Sequence, residues 1–225
     1  MIALNLISND IPPLKPSDKG FVALEWMEEF KVSHLPVVDN NQKYLGLISE
    51  DDLLNIDIAE MTIDEYIKNN RVVLPRHHIF KTQHIFEGIE TIVNAELTVL
   101  PVIGENDEFL GTISIFDIVK FFGKATAMEM PGSIITLEMN IRDYSMVEIA
   151  KIVESDDAKI LASYLTSSID TTKLEVTIKV NKTDITRILH TFSRYDYTVT
   201  ASYNESEYYE DLKRRYDEFM RYLNI

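Results

Sequence analysis

Two pairs of polar residues with the same spacing are the first candidates for chemistry: Ser49 with Asp52, and Ser114 with Asp117. A serine hydroxyl donates and accepts hydrogen bonds, and an ionised aspartate accepts them through two oxygens. At a helix start, Ser-x-x-Asp is close to a capping box, in which the serine binds a free backbone N–H and the acid reaches back. The same groups can instead face a ligand, and the spacing alone leaves both interpretations open.

The two pairs belong to an internal repeat. Residues 35–52 and 100–117 align without a gap at an offset of 65, and nine of their 18 positions are identical. Average amino-acid usage would give about one identity by chance. We therefore expect the first half of the chain to contain two copies of one structural unit.

Each copy predicts the order strand, helix, strand, turn, strand, helix. The opening strands are expected near Ile11–Leu14 and Ile79–Phe80. The first helix of each copy has its apolar residues on one side: Phe21, Leu24, Met27 and Phe30 in copy one, and Ile85, Ile89, Ile92 and Val93 in copy two. Two further strands follow in each copy: Leu35–Val38 and Tyr44–Ile48, then Val99–Ile103 and Phe109–Ile113.

This unit resembles the CBS domain, named after cystathionine β-synthase. The resemblance rests on Leu-Pro-Val-Val/Ile and Gly-x-Ile-Ser-x-x-Asp, which occur from Leu35 and Gly46 in copy one and from Leu100 and Gly111 in copy two. It implies paired βαββα repeats whose sheets pack together and form two clefts for adenine nucleotides or related adenosyl compounds. It also implies that the Ser and Asp side chains lie against the ribose, whose two hydroxyls one carboxylate can bind.

The two copies are unequal in charge. Copy one reads Ser49-Glu50-Asp51-Asp52, whereas copy two reads Ser114-Ile115-Phe116-Asp117. Three acids suit a helix N-terminus, but they would repel a polyphosphate. We therefore expect the nucleotide in the second cleft; the first is empty, holds a less anionic adenosyl ligand or a divalent metal, or is a solvated helix start. The basic residues expected near a phosphate in the second cleft are Lys81, His77, His78 and Lys120.

The second half has a different pattern, with the order strand, helix, strand, strand, helix, strand. This is the ferredoxin-like arrangement, with both helices on one face of an antiparallel sheet. In this position it resembles the ACT domain, a small-molecule regulatory module. ACT domains that bind amino acids usually have a glycine in the first strand-to-helix loop, but residues 140–144 contain none. A dimerising or structural role is therefore an equal alternative, and Arg142 is either a carboxylate ligand or a surface residue.

The predicted fold class is mixed α/β (α+β), with paired CBS repeats, an ACT-like domain and a C-terminal helix. The expected boundaries are 1–60 for the first repeat, 61–127 for the second, 128–132 for a linker, 133–203 for the ACT-like domain and 204–225 for the helix. The helix is amphipathic, with an apolar stripe of Tyr208, Leu212, Tyr216, Phe219 and Leu223.

Composition narrows the function classes. The formal charge of −15 argues against binding to nucleic acid or to an anionic membrane. The chain has no cysteine, which excludes disulfides and thiolate nucleophiles. No apolar run is long enough for a transmembrane helix, and the start does not read as a signal peptide, so a cytoplasmic location is expected. Glycine-rich phosphate loops and common hydrolase motifs are missing, so we expect no enzyme.

The sequence therefore predicts a cytosolic regulatory or sensor protein. Its ligand would be AMP, ADP, ATP or S-adenosylmethionine, with no required cofactor, and the ligand state would pass to a homodimer or a protein partner. The alternative is a non-catalytic dimeric interaction scaffold with vestigial clefts.

Overall fold

The internal repeat of the sequence is also a repeat of the backbone. The computed structural model describes residues 1–8, 10–54, 61–167, 170–204, 220 and 222, and it divides into two units, Met1–Phe121 and Phe122–Ile225. In the first unit, copy one contains α1 (Gly20–Phe30), β1 (His34–Val38), β2 (Tyr44–Ser49) and α2 (Glu50–Leu54). After α3 (Ile63–Asn70), copy two contains β3 (Ile79–Phe80), α4 (Ile85–Asn94), β4 (Val99–Ile103), β5 (Phe109–Ser114) and α5 (Ile115–Ala125). The predicted element order is confirmed except for the opening strand of copy one, because the described residues 11–14 form no strand.

Strand pairing in the two copies keeps the offset of 65 residues. β1 and β2 pair antiparallel with Leu35 opposite Ile48, and β4 and β5 pair with Leu100 opposite Ile113. The opening strand of copy two is β3, which pairs parallel with β4. Its counterpart in copy one is a single parallel bridge between Leu14 and Val37. β4 is buried along its whole length, as its unbroken apolar run requires.

The two copies exchange their N-terminal segments, which come before α1 in copy one and before β3 in copy two. The Leu47 N–H in β2 donates to the carbonyl of Pro75, from the segment before β3, at 2.8 Å. In return, the N–H of Ser8, from the segment before α1, donates to the Thr112 carbonyl in β5 at 2.9 Å. The turns also meet, because the Phe109 N–H donates to the Gln42 carbonyl at 2.9 Å. The second strand of each copy therefore forms a backbone hydrogen bond with the N-terminal segment of the other copy.

The buried sides of α1 and α4 agree only in part with the apolar sides predicted from the sequence, although Met27, Ile85 and Ile92 are buried. Val93 is 67% exposed and Phe21 is 42% exposed, whereas Gly88 in α4 and its repeat partner Ala23 in α1 are buried. A Cβ on Gly88 would lie 2.8 Å from Leu100 Cδ2 and 2.9 Å from Ile79 Cδ1. A small residue at this position lets the helix pack close to its strands, and hydrophobic periodicity does not reveal it.

The second unit has the predicted ferredoxin-like topology. Its elements are β6 (Ser133–Asn140), α6 (Met146–Glu154), β7 (Ile160–Ser167), β8 (Lys173–Val180), α7 (Thr186–Arg194) and β9 (Thr198–Asn204). The four strands form one antiparallel sheet in the order β7-β8-β6-β9. Alternate residues Ile135 and Leu137 of β6 are fully buried in a core shared with Ile149 of α6 and Phe192 of α7. The helix expected over residues 204–225 lies outside the described residues apart from Asn204, Met220 and Tyr222, and the proposed domain boundaries stay predictions.

Replacing Gly46 by alanine tests the exchanged segment. Gly46 has φ +156°, and a Cβ there would lie 2.5 Å from Leu74 Cβ and 3.0 Å from the Pro75 carbonyl oxygen. We expect Gly46→Ala to lower the free energy of unfolding by about 2 kcal/mol or more, because the segment before copy two must move away from β2. The measurement is urea unfolding.

Gly123→Ala is the matched control. Gly123 lies in α5, and the nearest atom to an added Cβ is Met128 Sδ at 4.0 Å. We expect this variant to be stabilised by up to about 1 kcal/mol through helix propensity. Equal stability of the two variants would contradict the tight approach of Leu74 to β2.

Candidate functional site

Both Ser-x-x-Asp pairs form the same helix cap. In each copy the serine hydroxyl donates to Asp Oδ2 at 2.6 Å, the serine N–H donates to Oδ2 at 2.9 Å, and the aspartate N–H donates to the serine Oγ at 3.1 Å. These bonds join Ser49 with Asp52 at the start of α2, and Ser114 with Asp117 at the start of α5. The capping interpretation therefore holds in both copies, and it uses only one oxygen of each carboxylate.

The second carboxylate oxygen distinguishes the two copies. Asp52 Oδ1 accepts a hydrogen bond from the Tyr66 hydroxyl at 3.4 Å. Burial raises the pKa of Tyr66, and the nearby Asp52 carboxylate raises it further. For Asp117 Oδ1, the described part of the chain supplies no hydrogen-bond partner. Asp52 is thus engaged through both oxygens, whereas Asp117 has one oxygen left for a ligand.

A cavity of about 600 Å³ adjoins the second pair, with Ser114 and Asp117 in its wall. This volume is within the range of small-molecule sites. The cavity draws its walls from both copies and from the segment before copy one. Half of its twelve described lining residues are apolar and half are polar or charged: Ser8, Asp10, Ile11, Phe30, Lys31, Val32, Thr98, Ser114, Ile115, Phe116, Asp117 and Val119.

The cation at this cavity is Lys31, which sequence reasoning missed. None of the four basic residues expected there is among the lining residues that the structure describes. Lys81 instead lines a separate cavity of about 290 Å³, and the His77 carbonyl accepts a hydrogen bond from the Tyr44 hydroxyl at 2.8 Å. Lys31 belongs to copy one, so its place beside the motif of copy two follows only from the packing of the copies.

The repeat also matches a known family. The family profile of the CBS domain matches residues 3–58 and 71–124. The first half of this chain is a pair of CBS domains. The resemblance inferred from the two motifs is thereby confirmed.

Individual relatives share the CBS pair and differ in the rest of the chain. An inosine-5'-monophosphate dehydrogenase from Halalkalibacterium halodurans is 30% identical over 121 residues, which are 53% of this chain and 23% of the relative. A CBS domain-containing protein from Methanocaldococcus jannaschii is 28% identical over 125 residues, 52% of this chain and 91% of the relative. The chain thus spans under a quarter of the dehydrogenase it matches.

One solved structure that aligns with this chain also contains a CBS domain pair. A crystal structure of a CBS domain pair/ACT domain protein from Thermotoga maritima aligns with a TM-score of 0.48 at 21% sequence identity. The alignment covers 56% of this chain and 98% of that protein.

His34 connects the two CBS domains at their clefts. It lies opposite Ser49 in the strand register. Its Nδ1 accepts a hydrogen bond from the Thr98 N–H at 3.4 Å and lies 3.2 Å from Thr98 Oγ1. Thr98 Oγ1 also accepts a hydrogen bond from the Ser33 N–H at 2.9 Å. Thr98 lines the cavity beside Ser114 and Asp117, which we call the second cavity. Two neighbouring residues of copy one, Ser33 and His34, therefore contact a residue that lines the cleft of copy two.

The acids of copy one do not gather into a metal site. Within the described ranges, no three His, Asp or Glu side chains are placed to hold a metal ion. Of Glu50, Asp51 and Asp52, the last is committed to the cap and to Tyr66. None of the described helices is long and apolar enough to cross a bilayer.

The ACT-like unit has an acidic cavity of about 360 Å³ at the end of β6. Glu138, Asp143 and Glu148 line it, and Lys173 there pairs with Glu138 at 2.8 Å. Arg142 is not among its described lining residues. This set of carboxylates would repel the carboxylate of an amino acid, so the structure gives no support for Arg142 as a carboxylate ligand.

The protonation of His34 gives a pH-dependent prediction. Burial lowers the pKa of His34 below its usual value near 6.5, although Asp52 and Asp51 act in the opposite direction. The unfolded chain therefore binds this proton more readily than the folded one, so the stability due to neutral His34 is present above pH 6.5 and is lost as the pH falls below it. We expect His34→Asn, which keeps an acceptor near Thr98, to show a smaller loss of stability between pH 7 and pH 5.5, measured by urea unfolding.

The comparison is between the wild type and His34→Asn under the same conditions. An equal loss of stability in the two proteins between pH 7 and pH 5.5 would show that His34 does not titrate in this way.

Proposed function

We propose that the CBS pair is a regulatory ligand sensor that binds an adenosine-containing molecule beside Ser114 and Asp117. The observation that carries this proposal is the available Asp117 Oδ1 at the wall of a 600 Å³ cavity, because the matching oxygen of Asp52 is bonded to Tyr66. The candidate ligands are AMP, ADP, ATP and S-adenosylmethionine. No cofactor and no catalytic step belong to this function.

The chemistry of the cavity suits a nucleoside. Ile11, Phe30 and Phe116 provide apolar surface for the base. Asp117 Oδ1 accepts hydrogen bonds from ribose hydroxyls while Oδ2 continues to hold the cap. Ribose binding therefore does not require the hydrogen bonds of the cap to break.

The first cleft, with Ser49 and Asp52, is the weaker candidate. A ribose there must compete with the Tyr66 hydroxyl for Asp52 Oδ1. Glu50 and Asp51 add negative charge beside it. In this proposal the first cleft binds more weakly than the second.

The ligand signal passes through the contacts between the copies. The cavity takes residues from both CBS domains, so a ligand that fills it stabilises one arrangement of the pair over others. α5 starts at the cavity with Ile115 and continues along the chain to Ala125. In the proposal, a cytoplasmic homodimer or a protein partner responds to the arrangement of the CBS pair that the ligand stabilises.

The paired aspartates allow a matched test of the ligand site. We expect at least one adenosyl ligand to raise the melting temperature of the wild type, since a ligand at 100 times its Kd stabilises the folded state by about 2.7 kcal/mol. Asp117→Asn should weaken its binding about tenfold or more in calorimetry. Asp52→Asn makes the same change at the equivalent cap, where the amide oxygen can still accept from Ser49, and it should keep binding within about twofold.

Two outcomes would contradict this proposal. One is a wild type that none of the four ligands stabilises and that shows no binding in calorimetry. The other is equal loss of binding in the two variants, which would attribute the effect to the cap rather than to the second cleft.

A second candidate function is the interaction scaffold with unused clefts. Large apolar side chains are exposed on two helices of the CBS pair: Phe86 and Val93 on α4, and Phe116 and Val119 on α5, each at least 60% exposed. Exposed apolar residues grouped in this way are typical of association surfaces. They favour a stable dimer that forms without any ligand.

Association through α4 is tested by charge insertion. We expect the wild type to have about twice the chain mass of 26.0 kDa in light scattering, and Val93→Lys to shift it toward 26.0 kDa because a buried charge would oppose the contact. Glu25→Lys, at an exposed position of α1, should leave the mass unchanged. A monomeric wild type, or a dimer unaffected by Val93→Lys, would contradict an α4 interface, and a dimer without ligand response would favour the scaffold.

A further inference from the structure

Lys31 stands at a backbone position that lysine does not favour. It follows the last residue of α1 with φ 56° and ψ 45°, in the left-handed region, and its N–H donates to the Met27 carbonyl. Glycine is the usual residue at such a helix end, because a side chain in this conformation is strained. The chain nevertheless carries a long charged side chain here, at the wall of the second cavity.

The repeat supplies an internal comparison for this position. Glu96 follows Lys31 by 65 residues and has φ 51°. The same backbone bond closes both helix ends at 3.0 Å, from the Val32 N–H to the Met27 carbonyl in copy one and from the Leu97 N–H to the Ile92 carbonyl in copy two. The turn at this helix end therefore forms with either a lysine or a glutamate at the left-handed position. The helix dipole favours a cation at both ends, so it does not account for the glutamate.

The charge of Lys31 is decisive for the second cavity. Among the described residues lining it, Lys31 is the sole lysine or arginine, and the carboxylates are Asp10 and Asp117. Asp117 is held by Ser114 through Oδ2. An anionic group in this cavity thus has one side-chain ammonium to bind, and Asp10 disfavours further negative charge beside it.

We infer that Lys31 is the specificity-determining residue of the second cleft, where it selects an adenosine ligand with one phosphate. This inference rests on the proposed function, because Asp117 must first hold the ribose. The Lys31 ammonium then neutralises the phosphate, and Asp10 limits the group to a monophosphate. Neutral adenosine gains nothing from this lysine, and S-adenosylmethionine, whose net charge is positive, gains less from it than AMP does.

The test measures how strongly AMP is preferred over adenosine. Calorimetry with both compounds is done on the wild type, Lys31→Gly and Lys31→Arg. We expect Lys31→Gly to weaken AMP about tenfold, equal to 1.4 kcal/mol, and to change adenosine by less than about twofold. Lys31→Arg should keep the wild-type preference, since it keeps the charge.

Glycine at this position separates binding from folding. Because glycine relieves the left-handed backbone, Lys31→Gly should unfold at the same urea concentration as the wild type or at a higher one. A loss of AMP binding in this variant is then no consequence of a damaged fold. Glu96→Gly relieves the matching turn and should leave the binding of AMP to the second cleft unchanged.

The outcomes distinguish this inference from the function on which it rests. If the wild type binds none of AMP, ADP, ATP and S-adenosylmethionine, the proposed function fails and the role of Lys31 fails with it. If the wild type binds one of the other three but not AMP, the role of Lys31 is overturned and the adenosyl site remains. If the wild type binds adenosine and AMP but Lys31→Gly binds AMP as tightly as before, or loses adenosine and AMP equally, the role of Lys31 is overturned and the adenosyl site remains. Tighter binding of S-adenosylmethionine than of AMP to the wild type would also overturn the role of Lys31.

Discussion

The exchange of backbone between the two CBS domains is the constraint on which the first unit depends. Neither copy satisfies its second strand alone, because the Leu47 N–H needs the Pro75 carbonyl and the Thr112 carbonyl needs the Ser8 N–H. Buried backbone groups without partners are costly, so a single copy would expose or bury unpaired polar groups at this edge. The pair therefore satisfies backbone groups that a single copy would leave without these partners, and the cavity beside Ser114 is a consequence of the pairing.

Because the copies exchange segments, the two Ser-x-x-Asp motifs are alike but the residues around them differ. The motif residues Ser114 and Asp117 come from copy two, while Lys31 comes from copy one and Asp10 from the segment before it. The repeat places Glu96 at the position equivalent to Lys31, so the charge at this turn can change while the capped helix start stays the same. A duplicated module of this kind can acquire two different sites without altering its fold.

The sequence predicts what depends on local pattern, and this structure confirms it. The offset of 65 residues, the strands, the helix starts at Ser49 and Ser114, and the ferredoxin-like order of the second unit all follow from spacing and alternation. Gly88 was missed because close packing requires a small side chain, whereas periodicity counts apolar ones. Lys31 and Tyr66 were missed because their effects depend on contacts with residues distant in the sequence, and only the packed pair brings these together.

The presence of a Ser-x-x-Asp motif therefore does not tell a working cleft from an unused one. Both copies need it for the same reason, since each start of a helix requires partners for its first N–H groups. The cap occupies Oδ2 of each aspartate and leaves Oδ1 to its surroundings. In copy one those surroundings supply Tyr66, and in copy two they supply a cavity. Structural and ligand roles of one carboxylate are thus compatible, and the environment of its second oxygen decides whether the ligand role is available.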